Sequence, residues 1–288
     1  MYDLSISGDG QINRRGIMRK TVVVLLLLTA VTTIASAQKQ NNPDLSASQV
    51  VSLMKSQAWT DREKGFKVAV AMLRGGAQSR SDEDNLRMGL IQLVMVEEHE
   101  AATPSSSDDG ERHEEYFAAL VEAVANLHDA RAIPSLLAVA GTGGMATRGV
   151  ARFGKLALDA VIVDIRGQDL QRSGDSLWIL RDMLAFRTAS DPESQAKIKD
   201  VLRYCLGHPE SRVRGNAISV LEYLDDREDF VPALRYLADR DPYKLVGERS
   251  NDSQDNGEIY PVRRGARILL SKITKHEKPV VPKIPMTN

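Results

Sequence analysis

Cysteine is almost absent from this sequence: among 288 residues there is one, Cys205. A lone thiol cannot close an intramolecular disulfide, so a small bridged fold is excluded and stability has to come from packing. Aromatic residues are sparse at 5%. Neither sign of charge dominates, with 38 Lys and Arg against 39 Asp and Glu. The basic excess of a protein that binds by neutralising phosphates is missing, and nucleic acid is not an expected partner. What is present, 42% hydrophobic and 27% charged residues, marks a globular chain long enough for one large or two ordinary domains.

The apolar run Thr21 to Ile34 has 14 residues. It spans only about 21 Å of a roughly 30 Å hydrocarbon core, too short for a membrane anchor. Arg19 and Lys20 precede it and Ala35-Ser36-Ala37 follow it, just before Gln38. Positive, then apolar, then small is the order of a secretory signal peptide. Residues 1–37 are therefore expected to be removed, leaving no stable anchor and no nearby cysteine for lipid attachment. The segment before Met18 has two readings: translation starts at Met18, or Arg14-Arg15 belongs to a twin-arginine export signal. Cleavage takes away four of the 38 basic and two of the 39 acidic residues, leaving 34 against 37. The expected product is exported, periplasmic or extracellular.

Residues 38–102 read as an N-terminal helical region. Segment 44–56 opens on cap-type residues, with Val50, Val51 and Met54 on one side. Segment 59–77 closes on Gly75-Gly76, a helix stop, and segment 81–102 carries acidic residues in its first turn, where the helix dipole favours them. The polar stretch 103–112, TPSSSDDGER, is expected to be a linker.

From 113 to 275 a hairpin rhythm takes over. Residues 211–224, SRVRGNAISVLEYL, return in altered form at 260–273, YPVRRGARILLSKI. Val213, Arg214, Ala217 and Leu221 face Val262, Arg263, Ala266 and Leu270 as identities, and the matched apolar positions share one face of a 3.6-residue period. The phrase NLHDARAIPSLL at 126–137 recurs as YLDDREDFVPAL at 223–234. It brings Pro134 and Pro232 into matching places, three units of about 33 residues apart, the spacing of a helix-hairpin repeat. Counted from His208-Pro209 and Asp241-Pro242, the last unit holds sixteen extra residues. They form an insertion at about 244–259, either a tolerated loop or a binding loop.

The phrases HPESRVRGNAISVLEYL, HDARAIPSLLAVA and GVARFGKLALDAV resemble HEAT repeats, of the short HEAT-like type also found in phycobilisome lyases. The resemblance covers about 113–275 and implies an all-α fold, an α-solenoid of HEAT-like helical hairpins forming an α/α superhelix. It also implies a ladder between an acidic turn residue and an arginine early in the second helix. Arg214 and Arg263 hold the arginine position, while the turn before Arg214 carries His208 in the place of the aspartate.

Chemistry is thinly signalled. HEEYF at 113–117 puts Phe117 where a second helical zinc ligand would stand, His128 and His208 fall at turns, and no metal site is assigned. Cys205 lies among apolar helix neighbours and reads as a packed thiol. GTGGMATRG at 141–149 follows a helix rather than a strand and lacks the lysine of a phosphate loop, so no nucleotide or other cofactor is expected. Asn251-Asp252-Ser253 is a glycosylation sequon, and the tail 276–288 holds three prolines. The residues singled out for partner binding are Arg148, Arg152, Arg214, Arg263, Arg264 and Arg267, which stacked repeats could align into a basic stripe. The function expected is a non-enzymatic scaffold or adaptor whose repeat surface binds another protein. An enzyme or lyase-like subunit and a binder of an anionic polymer are the alternatives.

Overall fold

A computed structural model of the chain describes residues 45–76, 79–101, 107–142, 144–246 and 258–275. The expected signal peptide, the sequon and the tail lie outside the described residues. Among the described residues the fold is all-α apart from one short strand pair. The chain divides into two compact units, one made by Met1–Leu93 with Pro104–Ala119, the other by Val94–Thr103 with Leu120–Asn288.

The first unit begins with α1 (Ala47–Met54), capped by Ser46, whose hydroxyl accepts from Gln49 N while its own N–H donates to Gln49 Oε1. α2 (Trp59–Gly75) stops at Gly76, in the left-handed region at φ 85°, as the glycine pair predicted. α1 and α2 cross so closely that a Cβ on Gly65 would lie 2.6 Å from Met54 N. α3 (Arg80–Ala101) carries Asp82 and Glu83 in its first turn and buries Leu86, Leu90 and Leu93. α4 runs Ser107–Asn126, so residues 107–112, expected as linker, are its first turns. The polar composition that reads as a break is also that of a solvated helix start, where Asp and Glu are favourable. Within this unit Tyr116 of α4 packs edge-on to Trp59 and Phe66, and Arg112 pairs with Glu63 at 2.8 Å.

In the second unit the hairpins follow in order. A 3₁₀ turn at Ala130–Ala132 leads into α5 (Ile133–Ala138), with Pro134 in the first turn, where its missing N–H costs nothing. Then come α6 (Gly144–Ala151), α7 (Lys155–Arg166), α8 (Leu170–Ala185), α9 (Pro192–Leu206) and α10 (Ser211–Leu221). A second 3₁₀ turn at Arg227–Phe230 leads into α11 (Val231–Arg240), with Pro232 in the first turn, and α12 (Pro261–Thr274) closes the series. The two recurring proline phrases thus fold alike, a 3₁₀ turn feeding a short helix, three hairpins apart.

Consecutive helices pair as hairpins, α5 with α6, α7 with α8, α9 with α10 and α11 with α12, and α6, α8, α10 and α12 also touch in succession. Alternate helices therefore form two layers, a front layer of α6, α8, α10 and α12 and a back layer of α5, α7, α9 and α11. No single hairpin can bury its own apolar stripe, so neighbours share one elongated core. That core includes Val150, Val161, Leu177, Leu180, Val201, Leu221, Leu234 and Leu269, all buried. The unit is an α-solenoid of HEAT-like hairpins, as the repeats predicted.

Front-layer helices meet at small residues. A Cβ on Gly174 would touch Asn216 and Arg212 of α10, and one on Gly265 would touch Ile218. Back-layer neighbours are bridged instead by long charged side chains, Lys155 to Glu193 at 2.7 Å, Lys197 to Asp159 at 2.9 Å and Lys199 to Asp229 at 2.9 Å. Glycine contacts thus join front-layer neighbours where lysine–carboxylate bridges join back-layer ones.

The insertion emerges between α11 and α12. Its mouth is an antiparallel ladder of β1 (Leu245–Val246) and β2 (Glu258–Ile259), with Leu245 opposite Ile259. Residues 247–257 lie outside the described residues. Two residues per strand are too few for a period-two pattern to show in sequence.

Candidate functional site: the front face of the repeat array

The six arginines singled out from sequence separate into two groups. Arg214 is turned inward. Its guanidinium meets the buried carboxylate of Asp241 through Nε at 2.6 Å and Nη2 at 3.0 Å, while Nη1 donates to the carbonyls of His208 and Pro209. A bidentate, desolvated pair of this kind is strong and directional. It belongs to the architecture and offers nothing to a partner, which corrects its place among the binding residues. Arg263 lies over the Tyr260 ring at 4.2 Å and donates from Nε to the Asp241 carbonyl at 2.7 Å. The expected ladder exists with a shifted register: Asp241, in the turn of the following repeat, accepts from Arg214 through its side chain and from Arg263 through its backbone. Arg152 is held by Glu122 at 2.7 Å and Asn126 at 3.0 Å. Arg148, Arg264 and Arg267 are exposed and make no ion pair with a described side chain.

Helical register places what surrounds them. On α10 the buried arc is Val213, Arg214, Ala217, Ile218, Val220 and Leu221, so Arg212, Gly215 and Ser219 look outward from the front layer. On α12 the arc opposite Val262, Ala266, Leu269 and Ile273 carries Arg264, Arg267 and Ile268. On α8 the corresponding positions are Gln171 and Trp178. Gln171 donates to both oxygens of Asp175 and accepts from Arg212 Nη1 at 3.0 Å. Burial pushes the Asp175 carboxyl above the ordinary aspartate range, against the opposing pull of the Gln171 hydrogen bond and of Arg212. Arg181 stacks on Trp178 at 4.4 Å and its Nη2 reaches Asp182 Oδ1 at 2.7 Å; Asp182 Oδ2 is buried and accepts from no described residue. Trp178, Gln171 and the two aspartates were not found from sequence, although their spacing along LQRSGDSLWILRDML places them beside one another on one helix side.

The other chemical candidates resolve into structure. Cys205 is buried, and that burial pushes its thiol up to about 12, only partly offset by Arg166, so no thiolate forms near neutrality. The imidazole of His208 is engaged elsewhere: Nδ1 accepts from Glu210 N at 3.1 Å and the ring meets Tyr204 edge-on. His113 stacks edge-on to Trp59 with centroids 4.3 Å apart, and His128 takes a left-handed turn position at φ 49°. At the glycine turn 141–144, a Cβ on Gly141 would lie 2.8 Å from the Asp175 carboxylate, a neighbour hostile to phosphate. A depression between the ends of α8 and α10 is lined by Met183, Arg187, Ser190, Gln195, Tyr223 and Asp225, with Arg187 and Asp225 3.4 Å apart, and it contains no nucleophile beside a base. Among the described residues no group of three or more His, Cys, Asp or Glu could hold a metal, and no helix is long and apolar enough to cross a membrane.

Neither a family model nor a curated protein matches the chain. Among solved structures it is similar to an archaeal HEAT-like repeats protein from Thermococcus onnurineus NA1, at 13% identity over 86% of this chain and 92% of that one, with a TM-score of 0.36. It is also similar to a designed armadillo repeat protein, at 12% identity over 77% of this chain and 98% of that one, with a TM-score of 0.31. At these scores the likeness adds nothing to what the pairing of the helices themselves establishes, a stack of helical hairpins in two layers.

Proposed function

We propose that the chain is an exported, non-enzymatic scaffold or adaptor that binds another protein through the front face of its helical repeats. The observation that carries the reading is the two-layer array. It buries its apolar residues between layers and leaves a front face on which Arg148, Arg264 and Arg267 are exposed and make no ion pair with a described side chain. Extended concave faces are the surfaces that such arrays use for partners. Export is supported by the positive, apolar and small order of residues 18–38. The short HEAT-like type found in phycobilisome lyases is supported by the turn-then-helix phrases alone. The absence of enzymatic activity is inferred from the inert thiol and from histidines engaged in packing and turns.

Crosslinking mass spectrometry on the mature protein in its native envelope, with and without residues 244–259, tests this reading. A discrete, stoichiometric protein adduct is expected in both forms. Adducts spread over many unrelated proteins would contradict it. Exposed Arg148, Arg264 and Arg267 give the anionic-polymer alternative its one specific support; binding of a polyanion in preference to any protein, abolished by moderate salt, would establish that alternative instead.

A further inference from the structure

Asp175 stands where three consecutive hairpins meet. Its carboxylate belongs to α8, lies 2.8 Å from the place that a Cβ on Gly141 would take in the turn between α5 and α6, and reaches α10 through one intervening amide. Gln171, one helical turn earlier on α8, supplies that amide. Its Nε2 donates to Asp175 Oδ1 at 3.2 Å and to Oδ2 at 3.1 Å, and its Oε1 accepts from Arg212 Nη1 at 3.0 Å. The two ends of an amide have opposite roles, so a carboxylate that takes the NH2 end presents the carbonyl end to the arginine. Arg212 is thereby held across the crossing of α8 and α10, with Nε and Nη2 each 3.6 Å from the place of a Cβ on Gly174.

That arrangement depends on the charge of Asp175. A protonated carboxyl has an O–H to donate, which the amide meets with its carbonyl end, and the NH2 end then turns toward Arg212, donor against donor. The attraction between carboxylate and guanidinium is lost in the same step. Burial disfavours the ionised carboxyl and raises its pKa, with Asp169 adding to the rise, while the Gln171 hydrogen bond and Arg212 oppose it. Asp175 therefore takes up a proton earlier on acidification than an ordinary aspartate does. The charges that face it are Arg212 from α10 and Asp169 from the cap of α8; the turn brings Gly141, and among the described residues neither α6 nor α7 adds a charge that acts on it.

We infer that Asp175 is a proton-operated latch: ionised, it holds Arg212 against α8 through Gln171, and protonated, it releases that guanidinium to the front face. The latch concerns the chain alone and is independent of what the front face binds.

The test is nuclear magnetic resonance of the protein, isotope-labelled at aspartate Cγ and at the side-chain nitrogens of glutamine and arginine. It is titrated from about pH 7 to about pH 3, around the ordinary aspartate value of about 3.9. The Asp175 Cγ signal, assigned by its absence in Asp175→Asn, is expected to titrate above that value. The Gln171 amide and Arg212 guanidinium signals should move with the same midpoint. On the acid side the Arg212 guanidinium protons should exchange with water about two- to fivefold faster, the size expected of an exposed charge interaction. In Asp175→Asn the Arg212 signals should no longer titrate, whereas Asp169→Asn, which keeps a capping side chain on α8, should retain the transition. Gln171 and Arg212 signals that ignore the Asp175 midpoint, that still titrate in Asp175→Asn, or that stop titrating in Asp169→Asn would overturn the inference. Unfolding of the chain before the Asp175 midpoint would overturn it as well.

Discussion

At the residue scale, one motif position has two fates. Arg214 and Arg263 align in sequence, yet the first is buried against Asp241 and the second is half-exposed against Tyr260 and a carbonyl. The arginine position was legible in the sequence; its partner was not, because the carboxylate comes from a turn 27 residues on, and periodicity reports faces rather than contacts. Arg214→Met leaves a buried, unpaired carboxylate and should cost about 3–5 kcal/mol. Adding Asp241→Leu should recover much of that loss, and a denaturation series that shows no recovery would mean the pair is not the source. Cys205 supplies a pH test. Its thiol keeps its proton in the folded chain up to about 12, whereas in the unfolded chain it ionises near about 8.5. Between those values the folded state holds the extra proton, so stability should fall as pH rises, by about 1.4 kcal/mol per unit. Urea midpoints from about pH 8 to about pH 10 should show that slope in the parent and lack that share of it in Cys205→Ala; parallel slopes would refute the assignment.

At the element scale, helix existence was more legible than helix context. The matched stripe of α10 and α12 is buried as aligned at Val213, Ala217, Val220, Val262, Ala266, Leu269 and Ile273. Leu270, paired with buried Leu221, is half-exposed, because among the described residues no helix packs beyond α12. An end effect of that kind is invisible in a repeat alignment. Leu221→Asp places a charge in the shared core between layers, and far-UV melting should show α10–α12 lost; an unchanged curve would contradict that placement. Glycines offer a test with opposite signs. At Gly65 a Cβ collides with the α1 backbone, so Gly65→Ala should lower the melting temperature despite better helix propensity. At Gly215 nothing lies within 4 Å, so Gly215→Ala should raise stability by about 0.5–1 kcal/mol. Two melts moving in the same direction would show that these helix crossings are misplaced.

At the scale of the whole molecule, a net charge of −1 conceals a division of labour between faces. Carboxylates and lysines of the back layer satisfy one another across repeats, and the front layer leaves arginines over. Composition averages the two faces, which is why a basic stripe could be suspected from the arginines' positions but not separated from the structural ones. Photo-crosslinking from each face tests the central claim most directly. A photoreactive residue is installed at Ser219, on the front-layer helix α10, and separately at Val163, 70% exposed on the back-layer helix α7. The protein is then irradiated in its native envelope. A discrete protein adduct from position 219 and none from position 163 is the predicted result; adducts from 163 alone, or equally from both, would contradict it.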